Sequence, residues 1–281
     1  MASPQAATRL DLFLLAHHDD EVFCAGRLRR ALAGGGRVHL LWATAGGLAP
    51  ARRRVAEGVR VLETLGLPGH AGSDLHLADQ HAVEHVAAIA AAVALIVDDA
   101  SPPDASAGDA ARDEVGAARA TGVDAQATAT TVYVPAYEGG HPDHDAVNLA
   151  AARAAASRPG LRVVEFPLYR RGPFGLTVAS PLPPAATARE PLSTLPLDEG
   201  DLALRSLLAR ANASQLAPSL LPLLSVARLA GRGRAEPARP LPAHDYTRPP
   251  HPGRLLYELY TPWRFARWSA AAAASSVSPA L

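Results

Sequence analysis

A chain of 281 residues can bury a substantial core in one large domain or two small ones without staples. Its 27 basic and 27 acidic residues cancel, which argues against nucleic acid or another polyanion as a partner held by bulk charge. All the basic residues are arginine, so a lysine Schiff base or lysine general base is excluded, and the single cysteine, Cys24, excludes an intramolecular disulfide and a cysteine-rich zinc site.

In chain order, the N-terminus lacks a basic region, and its apolar run is cut short by charged residues after Ala16, so neither a signal peptide nor a membrane span is expected and a cytoplasmic location is the reading. LDLFLLA (10–16) has the length of a buried strand, and VFCAGRLRRALAGGG (22–36) reads as a helix stopped by glycines. RVHLLWATAGG (37–47) is the next strand. ARRRVAEGVRVLETLGLPG (51–69) is a helix with Val55, Val59, Leu62 and Leu65 expected on its core face. Residues 78–97 continue as a helix expected to run into a strand-like end, since ALIV suits either state. TVYVPAYEGG (131–140) is a strand and loop, HPDHDAVNLAAARAAAS (141–157) a helix, and LRVVEFPLYR (161–170) a strand. This alternation predicts an α/β, Rossmann-like fold: a mainly parallel sheet with helices on both faces, with ligands beyond the carboxyl ends of the strands.

Two stretches break the rhythm. Residues 98–130 are polar, aromatic-free and too long for an ordinary connection, so they read as a mobile insertion. The second half holds a helix at 198–217, a Pro/Arg-rich stretch at 231–254, five of the fourteen aromatics between Tyr257 and Trp268, and a tail from about 271 expected to fray. The whole is read as one domain with its core at about 9–170 and a C-terminal elaboration at 171–270.

The chemistry concentrates in two short clusters, each between a strand and a helix. AHHDDE, at the end of the first strand, offers His17 and Asp20 to a pocket at the sheet's carboxyl edge. A catalytic zinc takes three protein ligands and keeps one position open, so one more ligand is needed. EGGHPDHDAV (138–147) supplies a candidate in His144, completing two imidazoles and a carboxylate, the mixture of hydrolytic zinc sites. The neighbours then gain candidate roles. Asp19 is the general base toward a water whose pKa the ion lowers to about 7. His141, as an imidazolium, stabilises an oxyanion or protonates a leaving amine, and Asp143 orients or tunes a histidine. Against this stands the plain alternative of two helix N-caps with solvated charges.

These residues also carry a resemblance. AHHDDE is similar to the AHPDDE signature, and HPDH to the second signature, of the PIG-L/LmbE-like de-N-acetylases. The match continues through GGGRVHLLWATAGG, through RVAEGVRVLETLG, which places the family's Arg-x-x-Glu on Arg54 and Glu57, and through ANASQ (211–215), which resembles a Ser-Gln segment. The resemblance implies a zinc-dependent hydrolase, or one using another divalent metal, that removes acetyl from an N-acetylated sugar, glycoconjugate or related amine. It implies His17, Asp20 and His144 as metal ligands, Asp19 as base, His141 as acid or oxyanion partner, Asp143 as its support and Arg54 as a substrate contact. One departure stands out: the family has proline where this chain has His18, whose side chain is expected to point away while the loop keeps its path, the alternative being an extra contact to metal or substrate.

HAVEH offers a rival, since His81, Glu84 and His85 fit a zinc-peptidase pattern; an exposed helix start is the simpler reading. A non-catalytic carbohydrate-binding protein of the same fold is the other alternative. His39 in a strand and His70 and His76 in loops have no partner pattern. GGG (34–36) precedes a strand, so no nucleotide cofactor is implied. Cys24 reads as a small buried hydrophobe.

Overall fold

The computed structural model describes residues 9–47, 49–100, 130–180 and 192–275. The expected insertion (98–130) falls almost entirely outside them, as do the last residues of the expected tail. β1 (Leu10–Leu15) alternates its side chains between two cores: Leu10, Leu12 and Leu14 enter one, Phe13 and Leu15 the other. A strand buried on both faces needs helices on both, as continuous apolar runs in parallel sheets do.

α1 (Ala25–Ala33), β2 (Arg37–Thr44), α2 (Ala51–Leu65), β3 (Gly72–Leu77) and α3 (Val86–Ala100) follow, then β4 (Thr130–Pro135), α4 (Pro142–Ala156) and β5 (Arg162–Phe166). A hairpin of β6 (Tyr169–Gly172) and β7 (Gly175–Val178) leads on to β8 (Ser193–Pro196) and α5 (Glu199–Ala211). α6 (Ala213–Gln215) passes through a π-helical turn at Leu216–Leu220 into α7 (Leu221–Leu229), and β9 (Ala235–Pro240) and α8 (Phe265–Ala274) complete the order. α3, α4 and α8 bury Ile89, Val147 and Trp268 on one face of the sheet; α1, α2 and α5 bury Leu28, Leu62 and Leu208 on the other.

The seven-stranded sheet has the order β3-β2-β1-β4-β5-β9-β8. β1 to β5 are parallel, whereas β9 runs antiparallel to both β5 and β8. From β1 the chain first adds strands on one side, then returns to add β4 and β5 on the other. The switch point therefore lies between β1 and β4, where diverging loops leave a crevice at the carboxyl edge. Both histidine-rich clusters leave from these two strands.

Three expectations need correcting, and a stretch to which no element was assigned gains a strand. Val59 is exposed; the buried face of α2 is Arg54, Glu57, Gly58, Val61, Leu62 and Leu65, because the helix turns its Arg–Glu pair, and not a purely apolar stripe, inward. ALIV stays helical within α3. The Pro/Arg-rich stretch supplies the inner strand β9, with Pro237 and Pro240 in a short antiparallel pairing. The tail's described part is helix α8 to Ala274, anchored by the buried Trp268, whose indole donates to Pro142 O at 3.0 Å. No helix among the described residues is long and apolar enough to cross a membrane.

Candidate active site

After β1 the backbone makes a tight turn into a 3-10 helix at Asp20–Cys24. Asp20 Oδ2 closes the turn by accepting from Ala16 N at 2.9 Å and His17 N at 3.0 Å, and Glu21 Oε2 accepts from Asp19 N at 3.0 Å. Asp19 sits at φ 134°, which few L-residues tolerate. After β4 the chain turns through Gly139, at φ 69°, and Gly140, where any Cβ would strike the carbonyl oxygen of Tyr169. Asp145 Oδ1 accepts from Glu138 N and Gly139 N, both at 3.1 Å, and His141 caps α4 with Pro142 in its first turn.

The two turns bring together residues 126 positions apart in sequence: His17 Nε2 lies 3.3 Å from Asp143 Oδ2. Asp20 spans two histidines, its Oδ1 3.3 Å from His144 Nε2 and its Oδ2 4.0 Å from His17 Nδ1. His17, His141 and His144 each bring a ring nitrogen to within 4.8 Å of the others, and His17, Asp79, His141 and Asp143 form a second such group. A cavity of about 640 Å³ opens onto His17, Asp19, Asp20, Arg54, Asp79 and His141. Its far wall is apolar, built from Leu220 and Leu223 of the π-turn and α7 with Leu176 and Leu256.

The residues present fit a divalent cation. His144 Nδ1 is buried without a hydrogen-bond partner and Nε2 meets only Asp20 Oδ1, at 3.3 Å, an arrangement an unliganded histidine avoids. Four carboxylates, Asp19, Asp20, Asp79 and Asp143, crowd the same space and call for positive charge. In this structure His17 answers it: burial opposes its charge, yet bonds to Asp143 and Asp79 raise its pKa well above the ordinary histidine value. Burial likewise works against the Asp20 carboxylate, but His144 and His17 outweigh it and hold its pKa low. Burial pushes Asp19 up to about 8 against the pull of Arg54; a nearby cation would lower it again. His141 differs from the sequence expectation. Burial, reinforced by His17, brings it down to about 3, so its resting form is neutral and not an imidazolium. Nδ1 accepts from Asp143 N at 3.3 Å, which assigns the ring proton to Nε2.

Arg54 is buried at the cavity's edge. Nε donates to Ala45 O at 3.0 Å and Nη1 to Glu57 Oε2 at 2.9 Å, while Nη2 comes within 3.5 Å of Asp19 Oδ1. Glu57 in turn accepts from Ser214 N at 2.8 Å and Ser214 Oγ at 2.6 Å, so the Ser-Gln segment steadies Arg54. Asp143 also binds the backbone of the loop after β3, accepting from Gln80 N at 2.7 Å and Ala82 N at 3.0 Å.

The chain matches the family model PIG-L, described as GlcNAc-PI de-N-acetylase, over residues 12–155, half of its length. It belongs to the PIG-L family. No curated protein matches it. Among solved structures it is similar to a zinc-inhibited form of teicoplanin deacetylase at 18% identity and TM-score 0.56, over 83% of this chain and 97% of that one. N,N'-diacetylchitobiose deacetylase from Pyrococcus horikoshii follows at 16% and 0.52, over 91% and 87%. A conserved protein from Thermus thermophilus stands at 20% and 0.51, over 90% and 98%. At such identities the likeness is one of fold.

Within this PIG-L chain, several site residues lie outside the sequence-derived set. Asp79 Oδ1 is 3.3 Å from His17 Nε2, and Tyr169 and Tyr260 line the cavity, Tyr260 donating to Gly140 O at 2.7 Å. Asp79 carries the signal that marked the other clusters, a carboxylate just beyond a parallel strand, but GSDLHL is too polar to read as that strand. Among the described residues the rival HAVEH joins no group of metal-ligating side chains: it forms a 3-10 turn in which exposed His81 pairs with Glu84 at 3.1 Å, and His85 is also exposed. Cys24 is buried, its thiol pushed well up by burial, as suits an inert packing residue.

Proposed function

We propose that this PIG-L protein is a metal-dependent N-deacetylase that hydrolyses the acetamide of an N-acetylated sugar or related amine. The observation that carries the reading is the meeting of His17, Asp19 and Asp20 from one turn with His141, Asp143 and His144 from the other at the switch point of the sheet. His17, Asp20 and His144 would hold the cation, zinc or another divalent metal, which when bound polarises the amide carbonyl and acidifies a water.

The chain's own groups do the rest. Asp19 removes a proton from the attacking water as the water oxygen bonds to the carbonyl carbon. His141 donates its Nε2 hydrogen to the oxyanion that forms; a neutral imidazole is a competent donor there, and Asp143, bonded to His17 and to the backbone of residues 80 and 82, fixes the geometry. The C–N bond then breaks, the proton taken by Asp19 passes to the amine, and acetate and free amine depart. Arg54 offers Nη2 to a substrate hydroxyl or anionic group, its other nitrogens being occupied by Ala45 and Glu57. The named neighbours are deacetylases of teicoplanin and of diacetylchitobiose, and together they support an N-acetylated sugar or glycoconjugate as substrate here.

Acetate release from a panel of N-acetylated monosaccharides, disaccharides and glycosides, assayed with added zinc, cobalt, nickel or manganese, tests the reading. At least one compound should yield acetate and free amine in equal amounts; sugar binding without acetate release throughout the panel would overturn it in favour of a carbohydrate-binding protein.

A further inference from the structure

His18 stands where the family signature has proline, and its surroundings are those of a clamp. The ring is buried, 1% exposed, and stacks on Trp42 of β2 with centroids 4.5 Å apart and planes 20° apart. Nε2 donates to Asp74 Oδ2 of β3 at 2.6 Å. Trp42 and Asp74 are register partners in neighbouring parallel strands, so their side chains share one face of the sheet. The ring also lies against α2, where a Cβ on Gly58 would come within 2.6 Å of Cε1 and Nδ1. Glycine is a weak choice in a helix interior, and a buried imidazole with Nδ1 unpartnered is costly, so this lock is not what folding alone would select.

What the clamp secures is the next residue. Asp19 holds φ 134°, and its carboxylate meets Arg54 only at 3.5 Å, longer than a direct hydrogen bond. Arg54 lies one helical turn before Gly58, so α2 both receives the His18 ring and faces Asp19. We propose that His18, clamped by Trp42, Asp74 and Gly58, is a positioning residue that fixes the peptide entering Asp19 and thereby aims the Asp19 carboxylate. Proline would restrain this peptide by locking its own φ; His18 restrains it through its side chain, which makes Asp74 and Gly58 part of the device. The inference rests on Asp19 being the base.

The test follows the coupling of His18 to Asp74, by kinetics and by amide exchange in a peptide covering residues 14–24. Asp74→Ala should lower kcat about tenfold with KM changed less than twofold and metal content unchanged, since small misplacements of a reacting group cost roughly that much or more. It should also speed exchange of the Asp19 and Asp20 amides about tenfold. Asp74→Asn, which keeps an acceptor for Nε2, should restore both to near wild type, and His18→Pro should make Asp74→Ala nearly silent. Gly58→Ala drives a methyl into the clamped ring and should lower both kcat and Tm, and the His18→Pro substitution, which removes the ring, should relieve both losses. Equal losses from Asp74→Ala with and without the His18→Pro substitution, a change confined to KM, or unaltered exchange would each overturn the proposal. If the wild type releases no acetate from any substrate, the deacetylase reading fails, and the exchange data still decide whether the clamp holds the turn.

Discussion

Between Ala16 and Cys24 the first turn contains no glycine, whereas the second places Gly139 and Gly140 directly before His141. The second turn gains its sharp path from residues without side chains, and backbone from elsewhere closes on it: Leu256 N donates to Gly139 O at 2.9 Å. The first must force Asp19 into a left-handed conformation, and does so with side chains: Asp20 and Glu21 grip the backbone, and His18 is locked outside the cavity. Their carboxyls diverge accordingly. Asp20, facing two histidines, is held ionised, while burial with few charge partners pushes Glu138 and Asp145 up to about 8. The division is one of partners and not of turns as wholes, since burial pushes Asp19 of the first turn up to about 8 as well and Asp143 of the second pairs with His17.

This contrast can be broken in graded steps. Asp19→Asn touches the chemistry of the first turn alone, because asparagine tolerates a left-handed backbone. Turnover should fall by about 10²–10⁴-fold with metal content and fold retained, as loss of a general base implies; normal turnover at normal metal content would remove Asp19 from that role. Gly140→Ala attacks the second turn through its backbone. The added methyl meets the Tyr169 carbonyl oxygen, so urea denaturation should show a loss of about 1–3 kcal/mol; an unchanged midpoint would mean that the two segments separate freely.

A smaller effect tests the buried acids. Glu138 keeps its proton up to about 8 in the folded chain but releases it near the ordinary glutamate value of 4.5 when unfolded. Between those values the folded state binds more protons, so this group makes stability fall as pH rises, by about 1 kcal/mol per pH unit. Glu138→Gln retains an acceptor for Leu168 N and should flatten its share of that slope between about pH 5 and 8; an unchanged slope would show that Glu138 ionises freely. Least of all, His81→Ala removes a surface pair with Glu84 and an edge contact with Trp263 and should leave metal content intact and stability within about 0.5 kcal/mol. Loss of metal there would revive the peptidase pattern.

The legible parts of the sequence were those with strong local signals. LDLFLL and TTVYVP are apolar or β-branched runs, the first followed almost at once and the second after the turn AYEGG by a His/Asp cluster, so strand, turn and candidate ligands could be placed together. β3 was hidden because GSDLHL offers only two leucines among polar residues, and with it went Asp79 and Asp74, which depend on knowing where that strand ends and which way it faces. β9 was masked by its prolines and is held in part by a tertiary ion pair, Arg239 Nε to Glu165 Oε1 at 2.7 Å. The misassigned face of α2 has a similar cause: hydrophobicity pointed to Val59, while Glu57 and Ser214 pull Arg54 inward. The direction of the His18 ring agrees with the sequence expectation, but its clamp joins β2, β3 and α2, contacts that no local pattern encodes.

The central claim is that the two turns jointly form one cation site. Metal content of the purified protein, measured for wild type, Asp20→Ala from the first turn and His144→Ala from the second, tests it most directly. The account predicts about one divalent ion per chain in the wild type and its loss in both variants; retention of the ion by either variant would contradict a site shared between the two turns.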